Sequence, residues 1–484
     1  MIVLYNPRSL VRGKQRLPHS LLALAAALGD GYKIVDGNVE DDPLSLIEAA
    51  LATDTRERIV GFTVMPGEQL QSAIRDTQAL RRSHPDAFIV WGGYFAAEHK
   101  DVVLRSGLVD AVVRGQGERT LIELRDALAA GRELKDVAGL SYVDRGEIRH
   151  NPPRGLTDVN AFPPYPYEAV DPSRYLVATN LGSKTLSHNA SVGCYERCNF
   201  CSITTLYDAR WIPESVDRVV EHVTAFKNVY GANGLEFFDA HFFPSEKRAA
   251  AIAEGIAPLG LSWWAQSRVD SFLGYESDTL RRLRASGLGM VFFGAESGSD
   301  LVLSKMDKNQ TSEQILTLVR RLREFDIVPE LSFILGAPED PGKDIEASID
   351  FIRTIKRVNP AAEIIIFLYT PFPQPGIYEE AVESGFRYPE HLLAWTHEPW
   401  KGFGLKSPKA TWLSDRLRER VLDFDLVVHS RFPSVTDIRL GSLFKRVLTV
   451  AGSWRYRLGF YRYPYELKLL HRLADYRSPE LEGA

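Results

Sequence analysis

Short apolar runs alternate with amphipathic segments along most of the first 384 residues. The helix-like segments include "TSEQILTLVRRLREF", in which Thr311 and Gln314 have capping-box spacing, and "DTLRRLRASG", which ends in the helix-stopping Gly287. Five apolar runs precede residue 145 and five follow residue 215: "MIVLYNP", "YKIVDGN", "RIVGFTVM", "DAFIVWGGY", "VDAVVRGQGE", "GLEFFDAHF", "LSWWAQSRVD", "GMVFFGAESGS", "PELSFILGAPED" and "AEIIIFLYTPF". Because repeated strand, helix, strand units form parallel sheets, the sequence predicts an α/β protein.

The spacing of these runs divides the chain into four regions. Residues 1–145 are predicted to form an open α/β sheet of flavodoxin-like or Rossmann-like size, and residues 183–384 a second parallel α/β domain. Residues 146–182 are rich in proline and predict an extended linker, whereas residues 385–484 predict a mostly α-helical region. A dinucleotide site is disfavoured, because "NPRSLVRGKQRLP" follows the first strand where a glycine fingerprint would be needed.

Composition limits the partners and the location of the protein. The 484 residues carry a net charge of −5, and the sequence pI is near 6.2, which argues against a nucleic-acid partner. The N-terminus turns polar after "MIVLY", too early for a secretory signal, and no run approaches the ~20 apolar residues of a membrane span. The sequence therefore predicts a cytoplasmic protein.

All cysteines of the chain lie in one short stretch, "SVGCYERCNFCSITTLY", as Cys194, Cys198 and Cys201. Three thiols cannot pair off completely, and the cytoplasm keeps thiols reduced, so metal or redox chemistry is favoured over disulfides. A structural zinc site normally needs a fourth ligand, and the nearest candidate, His188, lies upstream on a predicted strand. Three cysteines on a four-iron cluster would leave one iron open. Unligated thiols and an opportunistic zinc site remain the alternatives.

Polar residues and glycines occur where the predicted strands end. Ligands of parallel sheets bind at this edge, although any one such residue could instead be a cap or a turn. The residues after the cysteines are Glu236, Asp239, Arg268, Asp270, Glu296, Ser297 and Gly336. Those in the first domain are Asn6, Thr63, Met65, Gly92, Gly93, Gly115, Gln116, Gly117 and Glu118.

The C-x3-C-x2-C loop, with Phe200 directly before the third cysteine, resembles the signature of the radical S-adenosylmethionine (SAM) enzymes. The resemblance implies a partial (β/α)6 barrel over residues 183–384 and a 4Fe-4S cluster on the three cysteines. "GAESGS" followed by "KMDKNQT" resembles the ribose-binding segment of that family, and "FFDAHF" resembles its second strand end. The SAM-binding residues implied in this way are Phe200, Glu236, Asp239, Arg268, Glu296, Ser297 and Gly336.

The domain before the cysteines is similar to the cobalamin-binding domain of one large branch of these enzymes. The most similar pieces are "LPHSLLALAAAL", "GGYFAAEH" and "VDAVVRGQGERTLIEL", although Gln116 replaces the usual glutamate of the last motif. The implied cobalamin-binding residues are Asn6, Thr63, Met65, Gly92, Gly93, Gln116, Gly117 and Glu118. The D-x-H-x-x-G signature is absent, so His99 is not assigned as a cobalt ligand.

The resemblance implies a methyltransferase that acts on an unactivated carbon. One SAM would be cleaved to a 5′-deoxyadenosyl radical, methylcobalamin would deliver the methyl group, and another SAM would remethylate the cobalt. The implied substrate is a small molecule, a lipid or a natural product, and flavodoxin or ferredoxin would supply electrons. Three alternatives remain: a cyclase or oxidoreductase of the same branch, a radical enzyme whose N-terminal domain binds no corrinoid, and a non-catalytic metal-binding scaffold.

The C-terminal region combines basic and aromatic residues. Residues 401–484 contain 16 Lys plus Arg against 9 Asp plus Glu, a local excess of +7. One hypothesis is a helical cap that closes the barrel with its arginines in solvent, and the irregular pattern favours it. The other is a helix in peripheral contact with a membrane surface. The aromatic residues Trp395, Trp400, Trp454 and Tyr456 could line a pocket or pack in the core.

Overall fold

The computed structural model describes residues 1–9, 14–53, 58–373, 376–403, 410–436 and 440–473. Parts of the predicted C-terminal region, namely 404–409, 437–439 and 474–484, lie outside the described residues, as do residues 10–13 of the segment after the first strand. In the described part of the chain, no helix has the length and apolar character needed to cross a membrane.

The N-terminal domain is built on one seven-stranded sheet with the strand order β2-β1-β3-β4-β5-β6-β7. Its strands are β1 (Ile2–Asn6), β2 (Tyr32–Asp36), β3 (Ile59–Thr63), β4 (Phe88–Gly92), β5 (Ala111–Val113), β6 (Leu140–Asp144) and β7 (Glu147–His150). Its helices are α1 (His19–Leu28), α2 (Pro43–Thr53), α3 (Glu68–Ser83), α4 (Tyr94–Glu98), α5 (Lys100–Arg105) and α6 (Glu118–Ala129). The first five strands are parallel in the flavodoxin-like order 2-1-3-4-5, which confirms the predicted fold of this region.

The sheet extends slightly beyond the predicted boundary at residue 145. Strands β6 and β7 form an antiparallel hairpin on its edge, so the sheet ends at His150. The proline-rich segment that follows is not simply extended, because it contains three short 3-10 turns. It contacts both domains. Tyr175 donates a hydrogen bond to Asp36 of β2, 3.0 Å away, and the Tyr167 hydroxyl lies 2.6 Å from Nδ1 of His188 in the second domain. The segment thus ties the two domains together.

The second domain is an open, curled sheet with the strand order β16-β15-β14-β13-β12-β9-β8. Its strands are β8 (Val177–Thr179), β9 (Gly182–His188), β12 (Gly234–Phe237), β13 (Ser262–Ser267), β14 (Leu288–Glu296), β15 (Val328–Leu335) and β16 (Glu363–Leu368). Strands β10 (Ser191–Gly193) and β11 (Trp211–Pro213) form a separate antiparallel pair. Six strands of the large sheet are parallel, as a partial (β/α)6 barrel requires, and β8 adds an antiparallel edge inside the region predicted as linker.

Helices connect the parallel strands of this second sheet. They are α7 (Ser202–Tyr207), α8 (Val216–Asn228), α9 (Glu246–Ile256), α10 (Val269–Leu273), α11 (Ser277–Ala285), α12 (Asp300–Lys305), α13 (Ser312–Glu324), α14 (Pro341–Val358) and α15 (Ile377–Glu383). Helix α13 begins with the predicted capping box, in which the Thr311 hydroxyl accepts from the Gln314 backbone N–H while the Gln314 side chain accepts from the Thr311 N–H.

In the described part of the C-terminal region, three α-helices follow residue 410: α16 (Asp415–Arg431), α17 (Ser442–Leu458) and α18 (Tyr465–Leu473). Helix α16 packs along α14 on the outside of the barrel, and α17 packs on α16. The Trp412 indole donates to the Gly336 carbonyl at the end of β15, 2.9 Å away. The predicted cap is therefore only partly correct, because the helices cover α14 and the contact with a strand end comes from the residues before α16.

The aromatic residues of the C-terminal region have different surroundings. Trp395 is fully buried, with its ring 4.9 Å from Phe95 and 4.8 Å from His99, so it joins this region to the N-terminal domain. His99 packs among aromatic rings. Trp400 lies in the same cluster, 5.2 Å from Trp395, whereas Trp454 is exposed. Core packing thus explains Trp395 and Trp400.

We expect Gly287 to be required for the turn from α11 into β14. Its φ of 104° is one that other residues rarely adopt, and an added Cβ would overlap the carbonyl oxygen of Leu261. The substitution Gly287→Ala should lower the free energy of unfolding by about 2–4 kcal/mol. The matched control is Gly289→Ala, where a Cβ meets no atom within 4 Å, with an expected change within about 1 kcal/mol. Urea midpoints of both variants measure the difference, and equal midpoints would contradict the expectation.

Candidate active site

The cysteine loop is held between the β10–β11 pair and helix α7. Gly193 precedes the first cysteine at a φ of 80°, and any side chain there would overlap the Arg210 carbonyl of the paired segment. Inside the loop, the Cys201 N–H donates to the Cys198 carbonyl over 3.2 Å, and the Thr204 hydroxyl donates to the same oxygen over 3.3 Å. These two bonds make a tight turn of the chain between Cys198 and Thr204.

The three thiols influence one another and face positive charge. None of them forms a disulfide, and Cys198 is buried with its Sγ 3.3 Å from Nη1 of Arg268. Burial raises the pKa of Cys194 and raises that of Cys201 to about 11, and in both cases the neighbouring thiols add to the rise. A bound iron cluster would favour the thiolate forms, because its cationic irons stabilise negative sulfur ligands.

The donor set fits a cluster better than a single ion. Among the described residues, no three His, Cys, Asp or Glu side chains are placed to bind one metal ion, the three cysteines included. A four-iron cluster is larger than one ion, so its ligands need not meet at a point. As a donor set, three thiolates suit a 4Fe-4S cluster and leave its fourth iron for another ligand.

Arg268, Glu296 and Phe200 come together beside the cysteines through Lys308. The Lys308 ammonium lies 2.8 Å from Oε1 of Glu296 and 5.6 Å from the centre of the Phe200 ring. The backbone carbonyl of Lys308 accepts a hydrogen bond from Arg268 over 2.7 Å. Sequence reasoning did not single out Lys308, although it lies in the "KMDKNQT" segment that was compared with the ribose-binding region. The fork of Arg268 also donates twice to Asp270, at 3.0 Å each.

Arg268 and Lys308 both keep their positive charge although they are buried. Burial disfavours the charged Arg268, but its hydrogen bonds to Asp270 and the charge of that carboxylate outweigh burial and raise the Arg268 pKa. Burial opposes Lys308 in the same way, and the negative Glu296 outweighs it, so the Lys308 pKa is raised as well. The result is a pair of fixed positive charges next to the three thiols.

The backbone at Glu296 is strained. Glu296 has a φ of 65°, uncommon outside glycine, at an irregularity in the pairing of β14 with β15. A Cβ on Gly294 would overlap both the Glu296 carboxylate and the Lys308 ammonium, so this glycine makes room for the ion pair. Strain of this kind, which costs about 1–3 kcal/mol, tends to persist at functional sites.

Ser297 and Gly336 form a second group, joined by Asp344 of α14. The Ser297 hydroxyl donates to Oδ1 of Asp344 over 2.7 Å, and the Gly336 N–H donates to Oδ2 over 2.8 Å. Ser297 is fully buried, and Gly336 has a φ of 83°. Both residues lie at strand ends as predicted, and the Asp344 carboxylate fixes the two loops relative to each other.

Asp239 and Glu236, predicted on the second strand end, point to other partners. Asp239 is buried, and its carboxylate accepts hydrogen bonds from the Ala190 N–H at 3.1 Å and from the Ser191 hydroxyl, so it positions the entry into the cysteine loop. Glu236 forms an ion pair with Arg16 of the N-terminal domain, with 2.7 Å between Nε and Oε2. Burial raises the pKa of Glu236, and the charge of Arg16 limits that rise.

A cavity that is open to solvent lies at the carboxyl edge of the N-terminal sheet. Six of the eight predicted cobalamin-binding residues line it: Thr63, Gly92, Gly93, Gln116, Gly117 and Glu118. Gly93 has a φ of 86°, and a Cβ there would lie 2.8 Å from the Val64 nitrogen, so glycine keeps this wall flat. The glycines let a cofactor approach the backbone of this wall closely.

Asn6 and Met65, the other two predicted residues, do not line the cavity. Asn6 donates to Asp36 over 3.0 Å and accepts from Gln69 over 2.6 Å, so it ties β1 to β2 and α3. The Met65 side chain is about half exposed, and its N–H donates to Gln69 over 2.8 Å. Sequence position at a strand end could not separate these residues from those that face the cavity.

The cavity also has residues that the sequence did not single out, from both domains. His19 lines it and lies 3.0 Å from the Ser187 carbonyl of β9, and burial lowers its pKa to about 3. Tyr165, Asn189 and Tyr207 line it from the linker and the cysteine-loop side. The side-chain oxygen of Asn189 is buried without a hydrogen-bond partner, as expected of a group that binds a ligand. The cavity is therefore shared between the two domains.

We expect the Arg16–Glu236 ion pair to stabilise the contact between the domains. Arg16→Gln leaves the largely buried Glu236 carboxylate without its counter-charge and should lower the free energy of unfolding by about 1–2 kcal/mol. Adding Glu236→Gln should restore part of the loss, measured as a double-mutant cycle of urea midpoints. The control is Arg58→Gln, which breaks a more exposed pair with Asp86 and should cost less than about 1 kcal/mol. A cycle with no coupling would contradict the expectation.

Comparison with known proteins gives matches to both domains. The radical SAM superfamily model matches residues 189–352, and the B12 binding domain model matches residues 12–125. An uncharacterized methyltransferase of Pyrococcus horikoshii is 32% identical over 374 residues, which are 76% of this chain and 79% of the relative. An anaerobic magnesium-protoporphyrin IX monomethyl ester cyclase of Synechocystis is 24% identical over 431 residues, 83% of each chain.

Among solved structures, the radical SAM methyltransferase TsrM from Kitasatospora setae, with cobalamin and a 4Fe-4S cluster bound, has the same overall fold. It is 19% identical with a TM-score of 0.68, over 98% of each chain. The two family matches confirm the predicted cofactors: a 4Fe-4S cluster and SAM for the barrel, and cobalamin for the N-terminal domain. The chain thus belongs to the radical SAM enzymes, in the branch that joins the radical SAM domain to a B12 binding domain.

Proposed function

We propose that this enzyme is a cobalamin-dependent radical SAM methyltransferase that transfers a methyl group to an unactivated carbon of a small molecule. The observation that carries the proposal is the shared cavity: strand ends of the B12 domain line one side, and Asn189, Val192 and Tyr207 line the other. These three residues flank or lie within the segment that holds the cysteines. A methyl donor and a radical generator would then act on one substrate between them.

The relatives support transfer of a methyl group. The relative from Pyrococcus horikoshii is named a methyltransferase, and it matches across both domains. When bound, the cluster supplies the electron that cleaves SAM to a 5′-deoxyadenosyl radical, and cobalamin supplies the methyl group. We include in the proposal a flavodoxin or a ferredoxin as the source of this electron.

The residues of the chain would bind and orient the groups that react. Cys194, Cys198 and Cys201 would hold the cluster, and the positive Arg268 beside Cys198 would attract the SAM carboxylate. Glu296 at the end of β14 would face the ribose, with its carboxylate oriented by Lys308. Holding the reacting groups in register accounts for a large part of such catalysis.

The site also limits access of water. Phe200 forms one wall beside the cysteines, and Arg268, Glu296 and Lys308 are all buried. Radicals are destroyed by side reactions with solvent species, so a closed site favours transfer to the substrate. The predicted cytoplasmic location remains part of the proposal.

Cyclisation without net methyl transfer is the second candidate, because the cyclase of Synechocystis covers 83% of this chain. It would use the same cluster and the same cavity. The products distinguish the two: a methyltransferase makes S-adenosylhomocysteine and 5′-deoxyadenosine together, whereas a cyclase makes 5′-deoxyadenosine without S-adenosylhomocysteine.

The cluster assignment is tested with Cys198→Ala. Anaerobic incubation of the reconstituted enzyme with reductant and SAM should yield 5′-deoxyadenosine by mass spectrometry, and the variant should show background levels because one thiolate ligand is gone. Ser202→Ala, one residue beyond the third cysteine, is the matched control and should retain cleavage. If Cys198→Ala still cleaves SAM and its iron content is unchanged, the assignment of the cluster to these cysteines is wrong.

The cobalamin assignment is tested by filling the cavity. Thr63→Trp places a large ring among the glycines that line it and should abolish retention of cobalamin, measured from the corrinoid absorbance of the purified protein. The control, Thr317→Trp, puts the same ring on the exposed face of α13 and should leave retention unchanged. Iron content should be equal in both variants. Equal cobalamin retention in the two variants would show that this cavity is not the binding site.

A further inference from the structure

Residues 442–473, which form α17, α18 and the loop between them, expose an unusual number of large apolar side chains. Of the 19 exposed large apolar residues in the described part of the chain, ten lie in this segment of 32 residues. They are Leu443, Val447, Val450, Trp454, Leu458, Phe460, Tyr463, Tyr465, Leu469 and Leu473, and we call them the C-terminal apolar surface. A concentration of this kind marks an interaction site.

Helix α17 presents a continuous apolar stripe to solvent. Its members, spaced four, three, four and four residues apart, lie on one face of the helix: Leu443, Val447, Val450, Trp454 and Leu458. Leu443, Val450 and Leu458 are each about three-quarters exposed (75%, 75% and 76%). The opposite face packs on α16, where Gly452 allows the backbones to come close, since a Cβ there would lie 2.8 Å from the Arg431 nitrogen. The apolar stripe of α17 therefore remains exposed although the opposite face of the helix is packed.

Helix α18 and the loop before it continue this character. Tyr465, Leu469 and Leu473 follow at intervals of four residues, and all three are exposed. The rings of Tyr463 and Tyr465 stack at 6.0 Å, and Trp454 stacks on Phe460 at 6.1 Å. Tryptophan and tyrosine are the residues enriched where proteins meet the boundary between lipid and water.

Positive charge surrounds the apolar residues. Residues 442–473 contain seven Lys or Arg and one acidic residue, Glu466, a net charge of +6 in a protein whose net charge is −5. Glu466 is already paired with the buried Arg455. Four arginines are exposed and form no ion pair with any described residue: Arg446, Arg457, Arg462 and Arg472. Arg446 and Arg457 flank the stripe of α17 on the same side.

We propose that the C-terminal apolar surface binds to a membrane that contains anionic lipids, with α17 lying in the plane of the interface. An apolar stripe flanked by arginines and aromatic rings suits insertion at the boundary of lipid headgroups and acyl chains. The unpaired arginines match the negative potential of such a surface. A second copy of the chain is a poorer partner, because pairing the two surfaces would bring +6 against +6.

Sedimentation with lipid vesicles tests the proposal on the full-length, reconstituted enzyme. Wild type should sediment with vesicles of equal parts phosphatidylcholine and phosphatidylglycerol, and much less with phosphatidylcholine alone. The triple variant Leu443→Gln, Val450→Gln, Leu458→Gln should lose at least about tenfold in affinity for the mixed vesicles. The quadruple variant with Gln at Arg446, Arg457, Arg462 and Arg472 should lose about as much, and the wild-type affinity should fall with added salt.

Matched controls remove similar side chains from other surfaces. Val229→Gln with Leu301→Gln takes away exposed apolar residues (69% and 66% exposed) elsewhere, and Gln at the exposed Arg82, Arg105, Arg132 and Arg149 removes the same number of charges from the N-terminal domain. Both controls should bind vesicles like wild type. Thermal unfolding and SAM cleavage without vesicles should be the same in all variants, which separates a failure of this proposal from a failure of the proposed chemistry.

Three outcomes would overturn the proposal. Wild type does not sediment with anionic vesicles, or the triple variant sediments as well as wild type. In the third, wild type does not bind vesicles, and analytical ultracentrifugation shows that wild type is a dimer and the triple variant a monomer. The partner of the surface is then a second copy of the chain.

Discussion

The carboxyl edge of the N-terminal sheet and the segment that holds the cysteines share one cavity, and the arrangement of the site depends on that contact. It is held by polar interactions that cross between the domains: Arg16 with Glu236, and His19 with the Ser187 carbonyl. The linker adds Tyr175 on Asp36. Parallel sheets bind ligands at their carboxyl edges, so this contact places the ligand edge of the N-terminal sheet next to the cysteine segment. In the proposed function, this contact would bring the methyl donor and the radical source to the same substrate.

Buried charge is the second requirement of the site. Arg268, Glu296 and Lys308 are buried beside three thiols, and each is tolerated because another member of the group compensates for it. Removing one member would leave another buried charge without its partner. The strained backbone at Glu296 and the missing side chain at Gly294 both serve to accommodate this ion pair. Burial raises the pKa of Cys194 and Cys201, and the positive Arg268 and Lys308 partly oppose that rise.

Much of the fold could be predicted from the sequence because the signals are local. All ten apolar runs became strands, the capping box at Thr311 formed, and the order of strands and helices required parallel sheets. The functions of single polar residues at strand ends were harder to predict. Asp239 faces the backbone of Ala190, and Asn6 ties strands together, since a side chain at a strand end can point into the cavity or back into the protein. Lys308 was missed because its partners lie on other loops.

The sequence by itself determined the cysteine triad, the two α/β domains and the basic, aromatic C-terminus, because each is written in residues that are close along the chain. Tertiary structure alone decided which strand ends share a cavity, that Glu236 pairs with Arg16, and that α17 buries one face on α16 and leaves its apolar stripe exposed. Those outcomes depend on which distant surfaces meet. Packing between elements far apart in sequence sets them, and no local pattern encodes that packing.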